Sequence, residues 1–543
     1  MDVNQTVKCA KWYSRQEMHI MAIFNCDKEL NKIVLNIQNS LSMNKFFLLY
    51  GLVWCLISFG FELFNFTWSI DDELFAYAPG PAVEWITQGR FTSACLLGIF
   101  FNNLCLPFFP LLFSQICLLG AYYIIWIRRE TVSGWMHYLA FPLFAASPLL
   151  FYVYTFSCLT PIIGLGFLLS ALAVYLFEKK CWYTVALSFI VGGCAVGCYQ
   201  LFMQCIICLL IINLLKELEN KDIRCFFKNV FLSILFCSGV LITYLLMWKI
   251  ALLFVEVPVS PYIVQMLPEN NTFTAVSLYD KILGIAIRMW KYFVMEIWAD
   301  LSCSVILIVA SMVFLLKNKW QKKAGRDFYR WCIYLFLLGA LALIPLTFFF
   351  INRNSIAGLR TVTPLIIMIP AVFIFAWQCS NLLKRIILGM LAVLAIAQFL
   401  YLNSKFSYSC YLRNKRDQII ATDIVNRLLP EIRLQTQDKV PVIFVGEREL
   451  DINLQQFISG KQREAIGSSV FHWGGGDENR IVHYLNEFLI FDFDVPKVKD
   501  FDKVKDLIPS MPCYPAKGSV LYKNNVAIVK LSEQKSTSVD YFK

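Results

Sequence analysis

Charged residues are scarce in this sequence: Asp, Glu, Lys and Arg make up 16% of its 543 residues, whereas 58% are hydrophobic. A water-soluble globule is excluded, because such domains carry more charge and less apolar sequence. Histidine is scarcer still, and the four that occur are too scattered along the chain to form a metal site. The glycines at 474–476 are not followed by Lys-Ser or Lys-Thr, so they do not form a nucleotide-binding loop.

Long apolar runs take up most of the chain, and its mean hydropathy is +0.59. A helix needs about 18 apolar residues to cross a bilayer, and roughly ten or eleven segments approach or reach that length. The strands of a membrane barrel would be shorter and would alternate between apolar and polar residues. The sequence therefore predicts a polytopic α-helical membrane protein with about 11 spanning helices.

The predicted spans are 46–66, 110–127, 136–155, 159–177, 183–198, 200–215, 229–254, 301–316, 331–351, 362–378 and 387–403. The segment 92–106 is also apolar, but prolines at 107 and 110 separate it from the next span. We expect this segment to lie in the interface or to re-enter the membrane. The pattern of 280–298 is typical of a helix that lies in the interface.

The distribution of Lys and Arg predicts which loops face the cytoplasm. These residues concentrate in four short loops, 128–129, 179–180, 216–224 and 317–330. With those loops inside, three others lie outside: 67–91, 255–300 and 352–361. Residues 1–45 are then expected to form a cytoplasmic extension before a transmembrane domain at 46–403.

The last part of the chain, residues 404–543, mixes charged and apolar sequence. Its patterns predict a helix over 417–434, a buried strand over 440–445, a helix over 478–488 and a closing hairpin over 518–531. We expect a small external α/β domain. Most of the 19 cysteines lie in apolar runs, where they pack as small residues, and only Cys410 and Cys513 could form a disulfide.

Three adjacent carboxylates, Asp71, Asp72 and Glu73, follow the first span directly and are the candidate catalytic residues. A solvated loop would explain them equally simply. However, adjacent like charges repel one another unless a nearby cation compensates them or they have a catalytic role. Arg90 and Arg353 are predicted on the same side of the membrane as the triplet. An aspartate in this place could serve as general base for a sugar hydroxyl, with Asp71 and Asp72 equally eligible.

Further candidates surround the acidic loop on the predicted outer side. Trp85, Arg90, Tyr199 and Gln200 are candidate substrate-binding residues; for Tyr199 the alternative is an ordinary aromatic residue at a helix end. Arg353 and Arg360 share one external loop, where positive residues are disfavoured, so they indicate an anionic partner. A phosphate or the carboxylates of the acidic loop would both satisfy them.

Taken together, these features resemble a known family. The features that carry the resemblance are the acidic loop, the sequence Trp85-Ile86-Thr87-Gln88-Gly89-Arg90, the pair Tyr199-Gln200, the loop from Arg353 to Arg360 leading into Pro364, and the hydrophilic tail. The chain resembles the bacterial Gtr-type (GtrII family) O-antigen glucosyltransferases, the serotype-converting enzymes of the GT-C class of multi-span glycosyltransferases. The resemblance covers roughly residues 45–450, and the extension before Met43 departs from it.

The resemblance implies a GT-C-like catalytic domain at 46–403 and a periplasmic α/β domain at 404–543. It implies transfer of glucose from undecaprenyl-phosphate-glucose to a sugar of lipid-linked O-antigen, at the periplasmic face of the bacterial inner membrane. Membrane lipids are expected partners, nucleic acid is not, and the oligomeric state is left open. An Asp base would make the transfer inverting, and Arg353 and Arg360 would bind the donor phosphate. No cofactor is expected to be obligatory, and a bridging divalent cation stays open.

Two alternatives stay open at this point. The first is a transferase that uses another lipid-phosphate sugar or another acceptor, such as lipid A or a different glycan. The second is a flippase for a lipid-linked sugar, which would place charged residues within the membrane and pair broken helices. The conspicuous charges here lie instead at one predicted surface.

Overall fold

A computed structural model of the protein describes residues 45–69, 72, 81–129, 135–220, 222–255, 283, 287, 302–323, 328–347, 359–433, 439–448, 469–489 and 492–533. Over these ranges the chain is mostly helical. The helices before the sheet are α1 (Lys45–Phe64), α2 (Pro81–Thr87), α3 (Phe91–Phe100), α4 (Phe109–Ile125), α5 (Met136–Ala145), α6 (Pro148–Tyr154), α7 (Thr160–Glu178), α8 (Trp182–Cys198), α9 (Phe202–Asn220), α10 (Ile223–Leu253), α11 (Ser302–Lys323), α12 (Phe328–Leu343), α13 (Leu365–Cys379) and α14 (Leu382–Arg433).

Within the described ranges, six helical segments are long and apolar enough to cross a membrane, which indicates a helical membrane protein. They are α1, Met136–Tyr154, α7, α10, Phe328–Leu346 and Leu382–Ile432. The same part of the chain contains five shorter apolar helices: α3, α4, α8, Ser302–Asn318 and α13. Because a helix rises about 1.5 Å per residue, α3 is about 15 Å long, half the thickness of the hydrocarbon core. The figure of about 11 spans stays a prediction.

The chain divides into two compact units, Met1–Val53 and Trp54–Lys543. The described part of the first unit is the beginning of α1, where the rings of Phe47 and Tyr50 lie 6.2 Å apart. The second unit contains every other described element. The predicted interfacial helix at 280–298 falls outside the described residues, apart from Leu283 and Ile287.

Short loops make α7, α8, α9 and α10 run alternately up and down. The helix bounds leave only 179–181, 199–201 and 221–222 as connections, and α7 packs on α8, and α8 on α10. The start of α7, the end of α8, the start of α9 and the end of α10 therefore share one end of the bundle, which we call the Tyr199 end. The opposite end, containing residues 178–182 and 220–223, is the Lys180 end.

Close helix packing explains a glycine in α7. A Cβ added at Gly164 would lie 2.3 Å from the backbone oxygen of Ser114 in α4. Only a residue without a side chain allows this approach, as is common between membrane helices. The sequence thus brings α4 directly against α7, which begins beside the candidate site.

The predicted span 136–155 corresponds to the apolar segment Met136–Tyr154, which contains a break at residues 146–147. Helix α5 ends at Ala145, and Pro148 opens α6 in its first turn, as expected because proline disfavours helical backbone in the residue before it. The amide of Asn403 donates a hydrogen bond of 2.9 Å to the carbonyl of Ala146 at the break. The interruption places α6 as a separate short helix next to residues 155–159.

The predicted span 387–403 and the predicted tail helix 417–434 form one helix, α14, of 52 residues. The intervening residues 404–416 contain neither proline nor glycine, so nothing in the sequence interrupts the helix. The last helix of the apolar region therefore continues directly into the tail.

The tail forms a four-stranded sheet of order β2-β1-β4-β3. Its elements are β1 (Val440–Val445), α15 (Glu478–Leu489), β2 (Phe493–Asp494), α16 (Val498–Asp502), β3 (Val520–Lys523) and β4 (Val526–Lys530). β1 is parallel to β2 and β4, and β3 is antiparallel to β4. The predicted strand, helix and hairpin are confirmed, and Asn524 and Asn525 make the hairpin turn with φ of 55° and 58°.

The core beneath this sheet includes residues from far away in the sequence: Trp68 belongs to it, and Phe66 and Cys105 pack against it. Trp68, just after α1, is buried with Ile424 of α14 and Phe444 of β1. A guanidinium nitrogen of Arg413 also donates a hydrogen bond to the carbonyl of Trp68. The loop that carries the acidic triplet is thereby attached to the tail. The separate 404–543 domain stays a prediction.

The disulfide that the sequence left possible in the tail does not form in the structure. Cys410 and Cys513 are both free thiols; Cys410 is buried and Cys513 is half-buried. The Cys513 thiol lies 3.4 Å from a carboxylate oxygen of Glu533.

Candidate functional site

Asp72 is the member of the acidic triplet that the structure describes, and its carboxylate binds three backbone N–H groups. Oδ2 accepts hydrogen bonds from Ser69 at 3.1 Å and from Ser157 at 3.2 Å, and Oδ1 accepts one from Cys158 at 3.0 Å. Ser157 and Cys158 precede the start of α7, so Asp72 ties the loop after α1 to the turn between α6 and α7. Asp71 and Glu73 lie outside the described residues.

The environment of Asp72 is dry. Its side chain is 0% exposed, so the interpretation of the triplet as a solvated loop is wrong for this residue. Burial raises the pKa of Asp72 from 3.8 to about 6, while the backbone N–H groups of Cys158, Ser69 and Ser157 and the side chain of Ser157 act in the opposite direction. A carboxylate has four acceptor positions, and here they serve three backbone N–H groups and the side chain of Ser157.

A small cavity adjoins this anchor. It has a volume of about 40 Å³, and Glu62, Asn65, Ser157 and Thr160 contribute to its walls. One water needs about 10–15 Å³, so the cavity admits a few waters and not a hexose. In the described part of the chain, the buried Oε2 of Glu62 has no hydrogen-bond partner. Sequence reasoning missed Glu62, although a lone carboxylate in an apolar span is a signal of function.

A second group of side chains, the Arg90 cluster (Arg90, Tyr199, Gln200, Tyr244 and Trp248), brings three of the predicted substrate-binding residues together. The guanidinium carbon of Arg90 lies 4.6 Å from the centre of the Tyr199 ring, a cation–π distance. The Nε of Arg90 is buried and, among the described residues, has no hydrogen-bond partner. Gln200 donates hydrogen bonds to the carbonyl of Gln88 at 2.7 Å and to the Tyr244 hydroxyl at 3.4 Å.

Two aromatic residues of α10 complete the Arg90 cluster and were missed from the sequence. The indole nitrogen of Trp248 donates a hydrogen bond of 2.7 Å to the carbonyl of Ile86. The rings of Tyr244 and Trp248 are stacked with centres 6.1 Å apart. Their signal was the spacing of four residues on one helix face, which an ordinary membrane helix also shows.

The turn that carries Arg90 requires a glycine. Gly89 has φ +79°, and a Cβ there would lie 2.3 Å from the Tyr244 hydroxyl. Positive φ and close approach both favour glycine. The remaining predicted residue, Trp85, is half-buried, and its carbonyl accepts the backbone N–H of Arg90 at 2.8 Å. Trp85 therefore helps to shape the turn.

Asp72 and the Arg90 cluster both lie at the Tyr199 end of the bundle. Asp72 binds residues just before α7, and Tyr199 follows α8. Between Arg90 and the Asp72 anchor the chain forms α3, after which the Cys105 thiol lies 4.0 Å from the Asp72 carbonyl. Both groups therefore lie at the same end of the bundle. Helix α3, about 15 Å long, connects Arg90 to the segment that reaches Asp72.

The segment that carries Arg353 lies outside the described residues, and the side chain of Arg360 is likewise not described. The structure describes the residues on both sides of this segment. On one side, Thr347 accepts a hydrogen bond of 2.6 Å from Gln204 at the start of α9. On the other side, the 3-10 helix Leu359–Val362 packs on α6. One flank is therefore at the Tyr199 end, and the other is next to the helix that precedes the partners of Asp72.

Metal binding has no support in the part of the chain that the structure describes. In that part, no group of three or more His, Cys, Asp or Glu side chains is arranged to hold a metal ion. A divalent cation at the acidic loop stays an open expectation, because Asp71 and Glu73 are not described.

Comparison with known families gives one match. A family model described as Glucosyl transferase GtrII matches residues 60–375. The matched segment contains Asp72, the Arg90 cluster and both flanks of residues 348–358. No curated protein and no solved structure matches the chain. The resemblance drawn from the short motifs is confirmed at the level of the family.

Proposed function

The chain belongs to the GtrII glucosyl transferase family, and on that premise we propose that it transfers glucose from undecaprenyl-phosphate-glucose to a sugar of lipid-linked O-antigen. The transfer takes place at the periplasmic face of the bacterial inner membrane, with the Tyr199 end facing the periplasm. The observation that supports a lipid-borne donor is the position of the site, which lies where the apolar helices end and beside no described nucleotide-binding loop.

In the proposed reaction, a hydroxyl of the acceptor attacks the anomeric carbon of glucose from the face opposite the phosphate. A bond forms between the acceptor oxygen and that carbon, and the carbon–oxygen bond to phosphate breaks. The phosphate leaves with the electron pair, and the hydroxyl proton passes to an aspartate carboxylate. The configuration at the anomeric carbon is thereby inverted.

The geometry of Asp72 supports different roles for the two aspartates of the triplet, one structural and one catalytic. A general base must reach the hydroxyl that it deprotonates, but Asp72 is 0% exposed and already accepts three backbone N–H groups. We assign Asp72 the task of holding the loop and its neighbour Asp71 the task of accepting the proton. Burial of Asp72 thus favours one of the two aspartates that the sequence left equally eligible.

The phosphate is proposed to bind arginines. Arg353 and Arg360 belong to a segment whose flanks reach Gln204 and α6, so the segment starts and ends next to both parts of the site. Guanidinium groups suit a phosphate whose charge grows as it leaves. Arg90 also has an unsatisfied Nε in the described structure, and we assign it to the donor headgroup, with Tyr199 and Gln200 beside it.

A transfer assay tests this proposal. Protein reconstituted in liposomes is given radiolabelled undecaprenyl-phosphate-glucose and acceptor glycolipid, and the label is expected to appear in the glycolipid. Movement of the label across the bilayer without transfer would instead support a flippase. Transfer from a different lipid-phosphate sugar, with none from the glucose lipid, would overturn the donor assignment.

The Asp71→Asn variant tests the base within the same assay. Turnover is expected to fall by about 100-fold or more, the usual contribution of a general base, while the unfolding midpoint stays that of the wild type. Asp506→Asn, at an exposed position of the tail, is the matched control and is expected to keep full activity. Full activity of Asp71→Asn would overturn the assignment of the base.

A further inference from the structure

One peptide group of the loop after α1, the Trp68–Ser69 peptide, is held from both sides. Its carbonyl accepts a hydrogen bond from a guanidinium nitrogen of Arg413, and its N–H donates to Oδ2 of Asp72 at 3.1 Å. A hydrogen bond at one side of a peptide group polarises the group and strengthens the bond at its other side. Arg413 is thereby connected to the Asp72 anchor through a single peptide group.

The same peptide group opens the turn that carries the proposed base in its sequence. The backbone N–H of Asp72 donates to the carbonyl of Ser69 at 3.2 Å, so Ser69 and Asp72 close a four-residue turn with two hydrogen bonds. Asp71 belongs to the sequence between them. The orientation of the Trp68–Ser69 peptide therefore sets the direction in which the chain enters this turn.

Arg413 reaches this peptide from a buried position in α14, where it is 3% exposed. Asp417, one helical turn further along α14 and also 3% exposed, lies close enough for the charges of the two side chains to attract each other. Residues four apart share one face of a helix. Because burying a charge costs free energy unless an opposite charge compensates it, Asp417 stabilises Arg413 in this position.

The tail holds Asp417 in place. Its Oδ1 accepts a hydrogen bond of 2.6 Å from the Ser469 hydroxyl, and its Oδ2 accepts one of 3.2 Å from the backbone N–H of Val470. These two residues precede α15, and Val470 is part of the core beneath the sheet. A continuous series of contacts therefore runs from the tail through Asp417 and Arg413 to the Trp68–Ser69 peptide.

We propose that Arg413 is a positioning residue of the transfer site, which sets the orientation of the acidic loop through the Trp68–Ser69 peptide. This inference rests on the function proposed above, in which Asp71 accepts the proton of the acceptor hydroxyl. Because Asp417 stabilises Arg413 and the tail holds Asp417, the tail acts on the rate of the transfer step.

Transfer kinetics, with kcat calculated per folded protein, test this proposal. In Arg413→Gln the kcat is expected to fall at least about tenfold, because misplacing reacting groups by about 1 Å can cost about 100-fold, while the KM for the donor stays within about twofold. Lys415→Gln removes a positive charge from an exposed position two residues away and is expected to keep both constants. Wild-type kcat in Arg413→Gln, or an equal fall in Lys415→Gln, would overturn the proposal.

A double variant covers the case in which Arg413→Gln does not fold. Loss of Arg413 alone leaves Asp417 as an uncompensated buried charge, which is strongly destabilising. The double variant Arg413→Gln/Asp417→Asn removes both charges, keeps an oxygen that can accept the Ser469 hydroxyl, and still lacks the guanidinium at the Trp68 carbonyl. The same fall in kcat is expected, and wild-type kcat in the double variant would overturn the proposal.

A measurement without substrate separates this inference from the function on which it rests. The unfolding midpoint in denaturant is compared for Arg413→Gln, or the double variant in its place, for Asp72→Asn, and for the combination. Since both side chains bind one peptide group, the combined shift is expected to be smaller than the sum of the separate shifts. Additive shifts would overturn the positioning role, whereas coupled shifts without any glucose transfer by the wild type would overturn the proposed function alone.

Discussion

The two ends of the helix bundle use charge in opposite ways. At the Tyr199 end, Asp72 is fully buried on backbone N–H groups, and Arg90 has a buried Nε without a hydrogen-bond partner among the described residues. At the Lys180 end, charges of both signs are more exposed, and amides connect them. Buried charges carry a desolvation cost, so a protein that keeps them at one end is expected to use that end for chemistry.

Removing the carboxylate of Asp72 should have the largest effect on stability. In Asp72→Ala, three backbone N–H groups lose their acceptor, and each buried unsatisfied group costs about 1–3 kcal/mol, so we expect a loss of at least about 3 kcal/mol. Asp72→Asn retains one oxygen, leaves at least one N–H unpaired and should lose about 1–3 kcal/mol. Unfolding in detergent measures both. If Asp72→Ala and Asp72→Asn lower the free energy of unfolding by the same amount, the three hydrogen bonds do not stabilise the loop.

The free energy of unfolding should depend on pH because Asp72 is protonated more readily in the folded state. The pKa of Asp72 is raised from 3.8 to about 6 by burial, so the folded state binds its proton more tightly than the unfolded state does. The stabilising contribution is fully present below pH 4 and is lost as the pH rises through 6; it amounts to about 3 kcal/mol. The difference in unfolding free energy between the wild type and Asp72→Asn, measured from pH 4 to 7.5, isolates this effect. A constant difference would contradict it.

Much of the fold could be predicted because apolar runs are a strong signal. The bounds of α7 and α8 agree with the predicted spans within one residue at each end, and β1 coincides with its prediction. The prediction of a helix boundary near residue 404 failed because the deciding feature was the absence of a helix-breaking residue. The helix α14 is continuous because residues 404–416 lack a breaker, whereas the change in polarity there suggested a boundary.

The site could be predicted only in part. Arg90, Tyr199 and Gln200 stood out because polar residues at helix ends are unusual, and the structure groups them. Ser157 and Cys158 bind Asp72 through backbone N–H groups, which every residue has, so no sequence pattern identifies them. Glu62 was missed because it lies inside the predicted span 46–66, and a single carboxylate does not interrupt the apolar run that predicts a span.

Replacing Arg90 should weaken use of the donor. Arg90→Gln is expected to raise the KM for the donor about tenfold, about 1.4 kcal/mol, with a smaller change in kcat. The Lys180 end offers a matched control, since the Arg128 guanidinium carbon lies 3.7 Å from the ring centre of Tyr175 in the same kind of stack. Arg128→Gln should leave the KM unchanged. An equal rise in both variants would mean that stacked arginines act on folding and not on the donor.

Removing one hydrogen bond of the Arg90 cluster should have the smallest effect. Trp248→Phe keeps an aromatic ring beside Tyr244 but deletes the indole N–H that binds the carbonyl of Ile86. Such a bond contributes about 0.5–1.5 kcal/mol, so the turn carrying Arg90 is held less firmly and the KM for the donor should rise about threefold at nearly constant kcat. Trp135→Phe, at a side chain 83% exposed, is the matched control and should behave as the wild type. A fall in kcat without a change in KM for Trp248→Phe would show that the residue acts on the transition state and does more than position Arg90.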